Sequence, residues 1–190
     1  MAEWRRRAVH ASGSAIPLGY LLARRFGVAF VDWRLCRYFL LAGSLAALGL
    51  EALRLTGRVD WAIFDQLTRE YERENLAGYA LYAFGMTVAA WAFEPRVALP
   101  AMLMLTVGDP VSGLLSSGSL AKQAWVLLVM FAVCVAIAGF FVPPVPAALG
   151  AATAAVADGL KPVVAGYVVD DNLTIPIGGG AAMALALFVL

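Results

Sequence analysis

Four aspartates in this chain stand where an aspartate is costly. Asp109 lies in Val107-Gly108-Asp109-Pro110, Asp158 in Ala157-Asp158-Gly159, and Asp170 and Asp171 open the run Asp170-Asp171-Asn172-Leu173-Thr174-Ile175-Pro176. Each adjoins a long apolar stretch. A carboxylate bordered by that much hydrocarbon must be paired, metal-bound or wetted, and it is a functional candidate by default. Lys122, Lys161 and Arg69 stand at comparable borders. The donor set suits magnesium, which prefers oxygen and is usually held by one or two carboxylates together with substrate phosphates. Asp109, Asp158, Asp170 and Asp171 are therefore the expected metal ligands, and Lys122, Lys161 and Arg69 the expected phosphate partners. Phosphoryl transfer asks mainly for positioning and electrostatic stabilisation, and a carboxylate can take the proton of an attacking hydroxyl. The competing reading is that the aspartates merely cap helices or pair at a membrane interface. The two readings differ in whether the carboxylates converge.

Convergence depends on the elements that carry them. The chain has 190 residues, 62% hydrophobic and 14% charged, against roughly 25% charged in an ordinary soluble domain. A soluble domain of this size has too little interior to bury so much apolar side chain, whereas a bilayer is itself an apolar solvent. The net charge of +1 offers no electrostatic case for a nucleic-acid polymer as partner. Cys36 and Cys134 sit inside apolar stretches and read as small buried hydrophobes. Arg5-Arg6-Arg7 before an apolar run resembles a signal peptide, but no small-residue cleavage site closes the run.

The uncharged runs cover residues 11–23, continued past Arg24-Arg25 by 26–31, then 38–50, 76–93, 97–108, 124–157 and 173–190. Pro143, Pro144 and Pro146 divide the longest in two, because proline cannot donate to a helix ladder. The expected fold is all-α: a polytopic integral membrane protein of about seven short transmembrane helices, forming a single domain over 1–190. Clusters such as Ala42-Gly43-Ser44, Gly150-Ala151-Ala152 and Gly178-Gly179-Gly180 let helix backbones approach closely in lipid. Residues 54–75 differ. There Arg58, Asp60, Asp65, Arg69, Glu70, Glu72, Arg73 and Glu74 interleave with Trp61, Ile63, Phe64 and Leu67, the pattern of an amphipathic segment lying on the cytoplasmic membrane surface.

Orientation follows from lysine and arginine. With the N-terminus in the cytoplasm, nine of them fall on that side and five on the other. Four of the five, Arg24, Arg25, Arg34 and Arg37, occupy the first hairpin, against the rule. The same threading brings Asp109, Asp158, Asp170 and Asp171 to the cytoplasmic face, with Glu51 and Arg54 at the end of the second helix.

These residues resemble, in order and over most of the chain, the polyprenol, dolichol and phytol kinases and the CTP-dependent diacylglycerol kinases, relatives of the membrane cytidylyltransferases. Arg6 or Arg7 with His10 and Gly13 resembles the family's opening basic-His-Gly pattern. Glu51-Ala52-Leu53-Arg54 resembles its acidic-x-x-Arg. Arg69-Glu70-Tyr71-Glu72 followed by Gly78 resembles its Arg-Glu-x-Glu…Gly segment, and Gly108-Asp109-Pro110 its Gly-Asp turn. Asp170-Asp171-Asn172-Leu173-Thr174-Ile175-Pro176 resembles its most specific signature. One stretch departs. Where the family shows a glycine-rich stretch and then Lys-Ser-x-Glu-Gly, this chain has Ser116-Ser117-Gly118-Ser119 and then Lys122-Gln123-Ala124-Trp125. Lys122 alone carries over.

The resemblance implies magnesium, CTP as phosphoryl donor, and a long-chain isoprenoid or glyceride alcohol as acceptor. It makes Arg69, Glu70 and Glu72 site residues, and adds Asn172 and Thr174 to the nucleotide contacts. Asp109, Asp171 and Glu70 are then the candidate catalytic groups, with Asp171 or Glu70 orienting the lipid hydroxyl or taking its proton. Three rivals remain open: a cytidylyltransferase that releases pyrophosphate, a small transporter, and a structural membrane subunit. A homodimer is also left open.

Overall fold

The computed structural model describes residues 2–68, 72–116, 122–164 and 167–190. Glycine and proline punctuate it. Helix α1 (Ala2–Ser12) and α2 (Ala15–Arg25) are separated at Gly13, where a Cβ would overlap the Tyr82 hydroxyl. Gly27 follows α2 with φ +71°, a conformation glycine adopts without a steric penalty. The first apolar run is thus not one helix through 11–31. It begins at Ala15 and stops at Arg25, because the left-handed turn at Gly27 reverses the chain. Asp32 then caps α3 (Trp33–Leu55), its Oδ1 accepting from Leu35 N at 2.7 Å. This helix outruns the uncharged stretch at both ends and carries Arg34, Arg37, Glu51 and Arg54 within it.

Among its described residues the expected surface segment contributes a short helix, α4 (Ala62–Leu67). Next come α5 (Gly78–Ala92) and α6 (Pro95–Leu103), with Pro95 in the first turn, where its missing N–H costs nothing. A π-helical turn, Met104–Gly108, joins α6 to α7 (Asp109–Leu115). Then follow α8 (Ala124–Ala138), α9 (Pro144–Gly159) and α10 (Asp171–Val189), with a two-stranded hairpin, β1 (Val163–Val164) and β2 (Tyr167–Val168), between the last two. That hairpin is the one departure from an all-helical chain among the described residues. Three stretches are long and apolar enough to cross a membrane: Trp33–Leu55, Pro95–Leu115 and Asp171–Val189.

Helices α3 and α5 pack antiparallel. Glu51 of α3 meets Ala77 just before α5, and Arg37 meets Ala90 near the far end of α5. Between α9 and α10, a Cβ on Gly150 would lie 3.1 Å from the Gly179 carbonyl, and one on Gly179 would lie 3.3 Å from the Gly150 carbonyl. These glycines set the close approach of the two helices. Gly85 does the same for α5. Pro176 has no N–H to give the Asn172 carbonyl, and a Cβ on Gly85 would overlap that oxygen. Around these contacts Met86, Met102, Met104, Met130, Met183 and Ile175 form a fully buried core. Both cysteines are buried free thiols.

Candidate active site

The helix ends collect into one polar site. The π turn delivers Asp109 to the first turn of α7, Asp158 sits in the last turn of α9, and Asp171 lies in the first turn of α10. One oxygen from each carboxylate lies within 4.8 Å of the other two. π-helical turns inside longer helices are frequent at functional sites, and here the inserted residue changes which face of the segment carries Asp109.

Two lysines enter between the carboxylates. Lys122, just before α8, donates to Asp158 Oδ1 at 2.5 Å and to Ser112 Oγ at 2.7 Å, and stands 3.6 Å from Asp109 Oδ1. Ser112 in turn donates to Asp158 Oδ2 at 2.7 Å. Lys161, just after α9, lies 2.6 Å from Asp171 Oδ2. Three carboxylates thus face two ammonium groups. Asp158 has no solvent exposure, so its charge is screened less than at the surface. An excess of anionic oxygen in such a place favours a cation.

A magnesium ion binds oxygens at about 2.0–2.1 Å. Ligands on opposite sides of one ion are therefore about 4.2 Å apart, and the 4.8 Å limit on the three aspartate oxygens is near that span. The three carboxylates supply oxygen donors close enough together to hold a divalent cation.

The sequence-derived candidates separate into groups. Asp109, Asp158, Asp171, Lys122 and Lys161 come together. Asp170 does not join the three converging carboxylates. Its Oδ1 accepts from Asn172 N at 2.9 Å and from Asn172 Nδ2 at 2.6 Å, which caps α10. Thr174 Oγ1 donates back to the Asp170 carbonyl at 3.2 Å. Asp170, Asn172 and Thr174 therefore organise the helix start from which Asp171 projects. Arg69 and Glu70 lie outside the described residues.

Glu72 is buried beside this helix start. A Cβ on Gly78 would lie 3.4 Å from Glu72 Oε1 and 3.0 Å from Asn172 Nδ2, so a side chain at 78 would crowd both. The Glu51–Arg54 pair holds that loop. Arg54 donates Nε to Glu51 Oε2 at 2.9 Å and Nη2 to Oε1 at 2.7 Å. It also donates to the carbonyls of Glu72, Arg73 and Asn75 at 2.8–3.0 Å. Glu51 further accepts from Ala77 N at 2.7 Å and Tyr79 Oη at 2.6 Å. The acidic-x-x-Arg spacing places both charges on one helix face, and they clamp the 72–79 turn.

Two residues at the site were not among the expected site residues, although His10 was part of the basic-His-Gly resemblance. His10 of α1 places Nδ1 3.7 Å from Asp109 Oδ2, while Tyr82 donates to the His10 carbonyl at 2.9 Å and packs edge-on at 4.3 Å. A lone histidine carries little signal; its spacing to Gly13 was the available clue. Ser112 stands three residues after Asp109, one helical turn on, which was legible only once a helix was known to start at Asp109. No family model, no curated protein and no solved structure matches this chain.

Proposed function

We propose that the chain is a multi-pass membrane kinase that moves the γ-phosphoryl group of CTP to a long-chain isoprenoid or glyceride alcohol. In this reading α2, α3, α5, α6–α7, α8, α9 and α10 all cross the bilayer and the carboxylates face the cytoplasm. The observation that carries it is the meeting of Asp109, Asp158 and Asp171 with Lys122 and Lys161 at the ends of apolar helices. Such a cluster suits a magnesium nucleotide. The bound metal would be held by the three aspartates and would neutralise charge on the phosphates.

The protein's own groups do the rest. Lys122 and Lys161 swing from their carboxylates toward the triphosphate oxygens as compact cationic donors. Asp171 orients the lipid hydroxyl and takes its proton, with Glu70 the second candidate for that role. The hydroxyl oxygen bonds to the γ-phosphorus as the bond to the β,γ-bridging oxygen breaks, leaving CDP and a lipid monophosphate. Asp170, Asn172 and Thr174 keep the α10 start rigid, and the Glu51–Arg54 clamp keeps Glu72 against it. Leu114, Trp125, Leu128 and Leu160 expose apolar surface near the site, so a tail that stays in lipid can reach it sideways.

The test is purified protein with γ-labelled CTP or ATP, magnesium, and a panel of geranylgeraniol, phytol, dolichol and diacylglycerol. Label enters the lipid phase with wild type. Asp109→Asn and Asp171→Asn abolish transfer while the protein stays folded in detergent. Full activity in both variants would reject the site. Release of pyrophosphate instead of CDP would make the chain a cytidylyltransferase.

A further inference from the structure

We infer that a second site, at the opposite end of the bundle from the aspartates, binds the phosphate of an anionic phospholipid headgroup. The inference needs the membrane placement but not the kinase reading. A cavity of about 460 Å³ opens between the start of α3 and the end of α5, lined by Asp32, Trp33, Arg34, Arg37, Tyr38 and Trp91. From Arg37 to Glu51 is fourteen residues of α3, roughly 21 Å at 1.5 Å per residue, so the cavity lies near the other membrane face.

Its polar groups are set for an anion. Arg37 donates Nε to the Ala90 carbonyl at 2.8 Å, and its guanidinium lies 5.9 Å from the Trp33 ring and 5.6 Å from the Trp91 ring. Held between two indoles, it loses little freedom on binding, and its terminal nitrogens have no acceptor among the described residues. A planar guanidinium fork matches two phosphate oxygens. Arg34 adds a second cation. The buried Trp33 Nε1–H also has no acceptor among the described residues. Asp32, the one acid in the lining, already caps α3. The α3 N-terminus itself favours negative charge.

The occupant follows from the surroundings. On the same face Phe26 is 76% and Phe30 78% exposed, with Tyr38 and Trp91 beside the cavity, the belt expected at headgroup depth. The first-hairpin arginines that break the charge bias also lie here. A phospholipid phosphate at this depth offers them an anion in place of the cytoplasmic partner they lack.

Native mass spectrometry of the detergent-purified protein, with phosphatidylglycerol or phosphatidylcholine of identical acyl chains, tests this. Both lipids carry the phosphate, but the choline cation of phosphatidylcholine is repelled by Arg34 and Arg37, so wild type is expected to retain phosphatidylglycerol about tenfold better. Arg34→Gln and Arg37→Gln remove the preference, and Arg96→Gln, which loses an exposed pair with Glu94, keeps it. If Arg37→Gln fails to fold, since Arg37 ties α3 to α5, the exposed Arg34→Gln and the wild-type lipid comparison decide. Equal retention of both lipids by wild type, or an unchanged preference in Arg34→Gln, overturns the site. Displacement of phosphatidylglycerol by an equal concentration of inorganic phosphate overturns the lipid assignment.

Discussion

Lys122→Met separates a cation-binding cluster from a set of structural ion pairs. Lys122 touches Asp158, Ser112 and Asp109 at once, and Asp158 is inaccessible to water. Methionine keeps the volume and removes the charge. Breaking a buried pair from one side costs about 3–5 kcal/mol because the partner stays charged and unpaired. Ser112 still donates to Asp158, which holds the loss toward the lower end, about 3 kcal/mol. Removing Asp158 as well relieves the orphaned charge, so Lys122→Met with Asp158→Asn should recover more than half of the loss. Magnesium should do the same by another route. A ligand at a hundredfold excess over its Kd stabilises the folded state by about 2.7 kcal/mol, so magnesium chloride should restore the single variant and EDTA should reverse the effect. The assay is unfolding in mixed detergent micelles followed by tryptophan fluorescence, with and without magnesium. A single variant as stable as wild type, or additive losses in the double variant together with no response to magnesium, would refute the reasoning.

Other expectations follow from the same contacts. Glu51→Ala should cost about 3–5 kcal/mol, and in a double-mutant cycle with Arg54→Ala the two losses should fall short of additive by more than about 1 kcal/mol. Gly85→Ala should destabilise by about 1–3 kcal/mol because the new methyl meets the fixed Asn172 carbonyl. Gly108→Ala is expected to stay within about 1 kcal/mol in the same unfolding assay, since its methyl meets the flexible Met130 side chain 3.0 Å away. Ser112→Ala should leave the protein folded but lower label transfer by about tenfold, as Lys122 loses one of its two hydrogen bonds; an unchanged rate would place Ser112 outside the reaction.

Much of the membrane character was written in local composition. Uncharged runs mark where helices lie, because burial of apolar surface depends on content more than on partners. Pro143 and Pro144 marked the α8–α9 turn, because proline acts through its own ring. The site was legible in residue type: aspartates beside apolar runs are costly wherever the chain goes. Of the three helices long enough to cross a membrane, only Asp171–Val189 matches its uncharged run; Trp33–Leu55 and Pro95–Leu115 extend well beyond runs 38–50 and 97–108.

What only the tertiary structure decided is which of those aspartates meet. Asp170 and Asp171 are neighbours in sequence, yet one caps α10 and the other reaches Lys161, since Asp170 is the extended residue before the helix and Asp171 is its first helical residue. Asp109 and Asp158 are brought together through a π turn, whose extra residue rotates one segment against the other, and through glycine contacts that set the distance between helices. Those are interactions between elements far apart in the chain. Composition constrains how much is buried, but only packing chooses the face, and a carboxylate's chemistry depends on what that face puts within a few ångströms of it.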